Sequence, residues 1–414
     1  MAVVKPFRAV RPTPELVDKV AALPYDVMDT KEAIDYVKGN PYSFMRIDRA
    51  EMSFDEGHDP YAQDVYEAAS KQLHQMKVDG TYIQDEKPCY YIYKQVMNGR
   101  AQIGIVGCAS VDDYMNDIVK KHELTLAKKE DDRCNHVDIC NANTGPIFLT
   151  YKSNDAINEV VKDTMEKHEP VYDFVGDNVQ QTVWVITCPH CKGVIEEAFA
   201  KTPALYIADG HHRCASAVRV ARKRRCQFPD YTGEEEFNYF LCVLFPDDQL
   251  EIMDYNRVVA DLNGNDKAAF IQKIEEKFTV EEKGEATYHP EEKHTFGMYL
   301  DGKWYKLTAK EGTYDASDVV AQLDVSILQH NLLTPILNIG DPRTDKRIDF
   351  VGGIRGLGEL EKRVNSGEMA VAFAMFPTSI EDLMNIADAG KIMPPKSTWF
   401  EPKLLSGIFI HELR

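Results

Sequence analysis

The sequence predicts an α/β or α+β fold built on a mixed sheet, and three observations lead to this prediction. Residues 146–151 and 237–245 are short, nearly continuous apolar runs, typical of strands buried inside a sheet. Between such runs lie segments with apolar residues at helical spacing, such as residues 61–77. The chain of 414 residues is too long for one compact core. We therefore expect an N-terminal region, residues 1–246, and a C-terminal α+β region, residues 247–414.

The N-terminal region is predicted to begin with an extended segment and then to mix strands and helices. Prolines between residues 6 and 26 favour extended or turn structure, and Asp29 or Thr30 is placed to cap a first helix. The Asn98-Gly99 pair between two apolar runs predicts a tight hairpin. The predicted strands are 89–96, 102–111, 146–151, 182–187, 204–208 and 237–245, and the predicted helices are 61–77, 112–141, 154–168, 193–200 and 213–225.

The C-terminal region has fewer strand signals. The Asp301-Gly302 pair predicts a turn within a hairpin over residues 293–307, and residues 370–376 form an apolar run typical of a buried strand. Two adjacent prolines stiffen residues 393–403, for which we expect an ordered loop. Helices are predicted at 266–278, 323–333 and 380–389.

The composition is that of an ordinary globular protein with an acidic surface. The formal net charge is −19, which opposes general binding to nucleic acid phosphates but leaves room for small anions at local sites. No apolar run reaches the length of a membrane span, and residues 1–8 lack the apolar core of a signal peptide. We therefore expect a cytoplasmic protein that binds neither nucleic acid nor a membrane.

The cysteines are expected to be reduced thiols, many of them buried, because their number is odd and their spacing forms no regular framework. Cys188-Pro-His-Cys191 is the one pair at the spacing of a metal or redox site. A structural zinc ion normally takes four ligands, and no matching second pair follows. The missing ligands disfavour a zinc site, and the pair follows a predicted strand without the context of a redox fold, which disfavours a thioredoxin-type role. Metal binding by Cys188 and Cys191 stays open.

The sequence Asp209-Gly-His-His-Arg213 is the strongest local signal for a ligand site. An apolar strand is predicted to end at Asp209, and a helix begins within the motif, so helix N-terminal amides can stabilise an anion there. Gly210 permits close approach of a phosphate, and Arg213 and the two histidines can donate to its oxygens. A metal site or a plain turn are the alternatives. Adjacent histidines on a helix point about 100° apart, which disfavours a metal-only site.

The motif also carries a resemblance to known proteins. Asp209-Gly-His-His-Arg213 followed by small residues resembles the phosphate motif of the ParB and sulfiredoxin-like superfamily, and its spelling is similar to that of free L-serine kinases. The whole chain resembles the domain-of-unknown-function family 1015. The segments that carry this likeness are 11–15 with 23–27, 121–125, 145–149, 256–263 and 393–407. Sulfiredoxins use a cysteine where this chain has residues 209–211, so peroxide repair is not expected.

The resemblance implies a nucleotide-dependent kinase that converts free L-serine to O-phospho-L-serine, with ATP or ADP as donor and Mg²⁺ as cofactor. Its partners are then serine and a nucleotide, and a homodimer is compatible with the sequence. The expected catalytic residues are Glu123 as general base, Asp209 and His211, with Asp209 also holding the metal. The expected phosphate and nucleotide contacts are Gly210, His211, His212, Arg213, Lys396, Ser397 and Thr398, and the expected substrate contacts are His122 and Thr125.

Several alternatives stay open at this point. Glu123 can equally be a surface residue of a helix, in which case Asp26 is a second candidate carboxylate. Residues 396–398 can close over a nucleotide or clamp domains together. The basic residues of 213–225 can be a solvated helix face. For the whole chain, the alternatives are a non-catalytic ParB-like nucleotide-binding regulator and a metal-dependent hydrolase that uses His122, Glu123, His211 and His212.

Overall fold

The computed structural model describes residues 1–414, which divide into two compact units. The first unit comprises residues 1–121, 125–250 and 402–414, and the second comprises 122–124 and 251–401. The sequence placed a boundary between residues 246 and 247, a few residues from the start of the long second-unit segment. It did not anticipate that the last residues of the chain return to the first unit.

The first unit is organised around a nine-stranded mixed sheet of order β6-β11-β8-β12-β5-β4-β10-β9, with β1 added on β5. The pairs β11–β6 and β12–β8 are parallel and the remaining pairs are antiparallel. The strands of this unit are β1 (Val4–Lys5), β2 (Val10–Pro12), β3 (Tyr82–Gln84), β4 (Tyr90–Met97), β5 (Arg100–Ser110), β6 (Val119–Lys120), β7 (Ala142–Asn143), β8 (Ile147–Tyr151), β9 (Tyr172–Gly176), β10 (Val179–Ile186), β11 (Leu205–Asp209), β12 (Tyr239–Pro246) and β21 (His411–Glu412).

Nine α-helices complete the first unit. They are α1 (Val17–Val20), α2 (Thr30–Tyr36), α3 (Met45–Asp48), α4 (Gln63–Val78), α5 (Val111–Met115), α6 (Ala127–Cys140), α7 (Asp155–Lys167), α8 (Pro189–Lys201) and α9 (His211–Gln227). Two 3-10 turns, Ala50–Ser53 and Glu236–Asn238, lie beside them, and a third, Asp247–Gln249, follows β12. Asp29 caps α2 through its side chain, and Glu32 completes a capping box, as the predicted helix start requires.

Two sequence patterns predicted the central strands well. Every residue of β12 is buried, and the strand lies between β8 and β5 in the middle of the sheet, as its continuous apolar run indicated. Strands β4 and β5 pair from Met97 opposite Arg100 onward, so the Asn98-Gly99 turn forms the predicted hairpin. Both turn residues have positive φ, which this pair tolerates at low cost.

The prediction of one helix over residues 112–141 was wrong. Helix α5 ends at Met115, and Asp117 adopts a left-handed φ of 57°. The chain then forms β6, whose Val119 pairs with Leu205 of β11. Strand pairing overrides the polar, helix-compatible composition of this stretch, so residues 121–125 form a connection between β6 and α6.

The second unit is built on a six-stranded antiparallel sheet of order β15-β17-β16-β19-β14-β18, with a separate β13–β20 pair. Its strands are β13 (Ile252–Met253), β14 (Tyr255–Val259), β15 (Phe278–Gly284), β16 (Thr295–Leu300), β17 (Lys303–Ala309), β18 (Ile348–Gly352), β19 (Val371–Met375) and β20 (Trp399–Phe400). Its helices are α10 (Lys267–Ile274), α11 (Asp324–Leu328), α12 (Leu357–Asn365) and α13 (Ile380–Asp388), with a π-helical turn Gln329–Leu333 and a 3-10 turn Gly353–Arg355. The predicted hairpin at Asp301-Gly302 is present. None of the chain's helices combines the length and apolar character needed to cross a bilayer.

Candidate functional site

The predicted strand, polar loop and helix are present around Asp209. Strand β11 pairs with β6 and β8 and ends at Asp209 after a register shift that follows Ile207. Helix α9 begins directly at His211, two residues earlier than the sequence suggested, and no side chain caps its N-terminus. The positive end of the helix macrodipole therefore lies at the motif, where it favours a negatively charged group.

Gly210 joins the strand to the helix in a conformation that other residues rarely adopt. Its φ is +90°, and it precedes the first residue of α9. A side chain here would be strained whatever the space around it, although the nearest atom to a built Cβ, the Ile147 Cα, is 3.6 Å away. The sharp change from β11 to α9 thus depends on glycine.

Asp209 is held by a lysine from the end of the chain. Lys403 Nζ lies 2.8 Å from Asp209 Oδ2, and the Gly210 amide donates to Oδ1 at 2.7 Å. Burial tends to raise the pKa of Asp209, but the Lys403 ammonium and the Gly210 amide outweigh it and hold the pKa below its usual value. Asp209 is therefore an ionised carboxylate, and 44% of its side-chain surface is exposed to solvent.

Arg213, in the first turn of α9, is fixed by a carboxylate that the sequence did not point to. Its Nη2 lies 3.1 Å from Asp48 Oδ2 and 3.3 Å from Ser406 Oγ. The Asp48 side chain is fully buried at the end of α3. Both of these hydrogen bonds run through Nη2 of Arg213.

A second arginine extends this ion-paired cluster. Arg133 Nη1 lies 3.8 Å from Asp48 Oδ1, and Arg133 Nε donates to Asp132 at 3.0 Å. The guanidinium groups of Arg133 and Arg213 lie 4.1 and 5.1 Å from the centre of the Tyr25 ring. Burial works to raise the pKa of Asp48, yet the positive charges of Arg213 and Arg133 keep it lowered. The Asp48 carboxylate thus stays ionised and orients both arginines.

A small cavity lies against the two arginines. It is lined by Arg133, His136, Val137, Asn143, Thr144, Gly145, Ile147 and Arg213. The volume within which the centre of a water molecule can move is about 10 Å³. The cavity therefore has room for one water molecule and is too small for a phosphoryl group. His136 Nε2 donates to the Ile47 carbonyl at 3.0 Å, and its buried Nδ1 has no hydrogen-bond partner. Burial and then Arg133 lower the pKa of His136 to about 4, so the ring is neutral.

Gly145 sets how closely the chain approaches Arg213. A Cβ at this position would lie 2.7 Å from the Arg213 Cζ and Nη1 atoms. The atoms in the way belong to the end of the Arg213 side chain, so the guanidinium would have to move to make room for a Cβ at residue 145. The glycine in the segment 145–149 is therefore needed to seat Arg213 on Asp48.

The other predicted residues of the first unit lie near the start of α9. His211 is buried, and His212 Nε2 accepts a hydrogen bond of 3.0 Å from the Leu126 amide, which places the proton of a neutral His212 ring on Nδ1. The Thr125 hydroxyl donates to Glu130. Leu126 and Thr125 thus tie the connection between β6 and α6 to helices α6 and α9.

The predicted residues of the second unit lie on two segments. His122 is buried, and its carbonyl accepts from the Met393 amide at 2.8 Å. Lys396 has a left-handed φ of 59°, and its carbonyl accepts from Arg257 at 2.9 Å. The buried Ser397 hydroxyl donates to the Pro394 carbonyl at 2.6 Å. The loop that carries Lys396, Ser397 and Thr398 is therefore ordered, as the prolines indicated. Glu123 lies directly after His122, on the other of the two segments.

Four of the five basic residues in 219–225 pair with acidic neighbours, and the fifth, Arg222, is exposed. The pairs are Arg219 with Glu130 and Asp131, Lys223 and Arg224 with Asp138, and Arg225 with Asp112. Most of these carboxylates lie on α6, which packs beside α9. This face of α9 binds the neighbouring helix, so it is not an extended surface for anions.

Sequence reasoning missed Asp48, Arg133, His136 and Lys403. Each lies far along the chain from Asp209, and none stands in a motif that carries its role. Lys403 was within the segment 393–407 but was not distinguished from its neighbours. A lone buried aspartate such as Asp48 becomes visible only when its arginine partners are known.

The comparisons with known proteins identify the family but no close relative. A family model described as a protein of unknown function, DUF1015, matches residues 4–326. A free serine kinase variant in complex with AMP has a TM-score of 0.36 and 12% identity, over 72% of this chain and 87% of that chain. A conserved hypothetical protein from Pyrococcus furiosus has a TM-score of 0.35 and 14% identity, over 74% and 94% of the two chains.

A C-terminally truncated SbnI from Staphylococcus aureus has a TM-score of 0.38 and 11% identity, over 73% of this chain and 85% of that chain. A search of curated proteins gives no match. These structural likenesses are remote, and we base the functional proposal on the residues of the chain itself. The family model, in contrast, spans well over half of the sequence. The chain therefore belongs to the DUF1015 family of proteins of unknown function.

Proposed function

We propose that the protein is a nucleotide-dependent small-molecule kinase, and that its substrate is free L-serine, which it converts to O-phospho-L-serine with ATP or ADP as donor. One observation carries the proposal. Strand β11 ends at Asp209 beside the N-terminus of a long helix that no side chain caps, with Arg213 fixed in the first turn. Phosphoryl transfer depends mainly on such positioned positive groups.

Gly210, His211, His212 and Arg213 are proposed to contact the phosphates. Helix amides and the dipole of α9 favour the negative charge, and the N–H groups of Arg213 that do not bind Asp48 can fork onto phosphate oxygens. Asp48 acts here as a positioning residue, because it fixes the guanidinium before any ligand arrives. Such fixed geometry lowers the entropic cost of binding.

Asp209 fits the proposed Mg²⁺ in its chemistry. It is an ionised, partly exposed carboxylate, and Mg²⁺ is commonly held by one or two carboxylates together with substrate phosphates. When bound, the ion would neutralise charge on the phosphoryl group. Lys403 would then either share Asp209 or turn to the phosphates.

Glu123 is proposed as the general base that accepts the proton of the serine hydroxyl, with His122 and Thr125 contacting the substrate and His211 assisting. Lys396, Ser397 and Thr398 are proposed to contact the nucleotide. These roles rest on the resemblance and on the residue types. Each can be tested by substitution.

The direct test is product formation. Purified protein is incubated with Mg²⁺, serine and either ATP or ADP, and O-phosphoserine is measured by mass spectrometry. Phosphoserine with one of the donors is the expected result, and its absence with both refutes the proposal. Nucleotide binding without turnover would instead support a regulatory protein. Stoichiometric zinc or iron, with an activity lost to chelator and restored by the metal, would support a hydrolase.

The assignment of the base is tested by Glu123→Gln, which keeps the shape of the side chain and removes its basicity. We expect kcat to fall by about 10²–10⁴-fold with little change in KM. The matched control is Glu169→Gln, because Glu169 is an exposed residue outside every predicted site. Unchanged kcat in Glu123→Gln would contradict the assignment and direct attention to Asp26.

A further inference from the structure

Cys188 and Cys191 lie at the start of helix α8, away from the residues proposed for phosphoryl transfer. Strand β10 ends at Ile186, Cys188 is the N-cap residue of α8, and Cys191 lies in its first turn. Cys188 is exposed and Cys191 is half-buried, and neither is in a disulfide. The Cys191 amide donates to Cys188 Sγ at 3.5 Å.

This arrangement makes the two thiols chemically different. The Cys191 amide, followed by the Cys191 thiol, lowers the pKa of Cys188, since both stabilise its thiolate. Burial and the hydrogen bond to Cys188 raise the pKa of Cys191. A thiolate at a helix N-terminus is favoured in the same way. Cys188 is therefore suited to attack an incoming group, and Cys191 is suited to act second.

We propose that Cys188 and Cys191 form a redox-active dithiol that a low-molecular-weight disulfide oxidises reversibly. The Cys188 thiolate attacks one sulfur of the disulfide RSSR, which forms a mixed disulfide and releases one thiolate RS⁻. Cys191 then gives up its proton and attacks Cys188 Sγ, which closes the Cys188–Cys191 disulfide and releases the second RS⁻. The protein loses two electrons and two protons, and RSSR becomes two RSH.

The exposures agree with this order of events. Cys188 can be reached by a small disulfide, whereas Cys191 is half-buried, and its amide donates to the sulfur that its thiol must attack. The groups that stabilise the Cys188 thiolate stabilise the reduced protein, so its disulfide should be readily reduced again. The oxidation state of the dithiol is thus expected to change with the ratio of disulfide to thiol in solution. The pair is not expected to act as a permanent structural crosslink.

A metal site is the competing use of the same pair. A structural zinc ion takes four ligands, and this segment offers the two thiols and His190. Such an ion would hold both thiols as ligands and protect them from a disulfide. The two uses therefore predict opposite reactivity.

The test uses the full-length protein in buffers of increasing ratio of glutathione disulfide to glutathione. Free thiols are trapped by alkylation, and peptides are mapped by mass spectrometry. We expect a 188–191 disulfide that forms as the ratio rises and disappears as it falls. In Cys191→Ser we expect a mixed disulfide of glutathione on Cys188 to accumulate. Cys188→Ser should give neither product, and it should fold because serine is a favoured N-cap residue.

Cys226 provides the matched control, because it is exposed but has no second thiol beside it in the sequence. Cys226→Ser should leave the 188–191 disulfide unchanged, and Cys188 should be alkylated several-fold faster than Cys226 in the reduced protein. The proposal is overturned if residues 188–191 stay reduced while Cys226 becomes glutathionylated. It is also overturned if the purified protein carries one zinc ion that Cys188→Ser releases.

Discussion

Replacing Asp48 with asparagine is the sharpest test of the cluster behind the phosphate motif. Asp48→Asn keeps the volume of the side chain and removes its charge. Arg213 then loses its carboxylate partner, whereas Arg133 keeps its hydrogen bond to Asp132. The change therefore leaves one guanidinium, with 13% of its side chain exposed, without a counter-ion.

The size of the effect follows from this burial. Removing one partner of a buried ion pair costs about 3–5 kcal/mol, because the remaining charge stays in a poorly solvated place. We expect the lower end, about 3 kcal/mol, since Arg133 retains Asp132 and Arg213 retains Ser406. For a unit of this size the melting temperature should fall by roughly 6–12 °C.

The assay is thermal and urea unfolding of the full chain, followed by circular dichroism. The matched control is Asp341→Asn, which breaks the exposed pair of Asp341 and Arg343 and should change the stability little, because water screens an exposed pair. If Asp48→Asn unfolds like the control, Asp48 does not neutralise Arg213. If nucleotide binding is as strong in a folded Asp48→Asn protein as in the wild type, Asp48 does not position Arg213 for a ligand.

Two further predictions concern other parts of the chain. Gly145→Ala should displace the Arg213 guanidinium and weaken nucleotide binding, measured by calorimetry. The control is Gly358→Ala, where a Cβ meets nothing within 4 Å and the affinity should not change. Equal affinities of the two variants would contradict the role of Gly145. Burial raises the pKa of Asp324 to about 7, and its Oδ2 has no hydrogen-bond partner. The folded state thus holds this proton more tightly than the unfolded chain, and stability should fall as pH rises from about 4 to about 7. In urea unfolding, Asp324→Asn should remove up to about 4 kcal/mol of the pH dependence of the free energy of unfolding. If the free energy of unfolding changes with pH in the same way in the wild type and the variant, the prediction is refuted.

The sequence by itself determined the features that depend on local chemistry. The Asn98-Gly99 turn has one favoured geometry, so the hairpin of β4 and β5 could be read directly. The apolar run of β12 requires burial on both faces, which places it inside a sheet. Glycine after an apolar strand predicted the turn at Gly210 and the start of α9.

The tertiary structure alone decided what depends on contacts between distant residues. Strand β6 forms inside a polar stretch because it pairs with β11, and nothing within residues 112–141 signals this. Lys403 neutralises Asp209, and Asp48 fixes Arg213, across separations of 194 and 165 residues. A buried charge requires a partner, but the identity of that partner is a property of the folded chain. For this reason the sequence located the motif, and only the fold disclosed the groups that hold it in place.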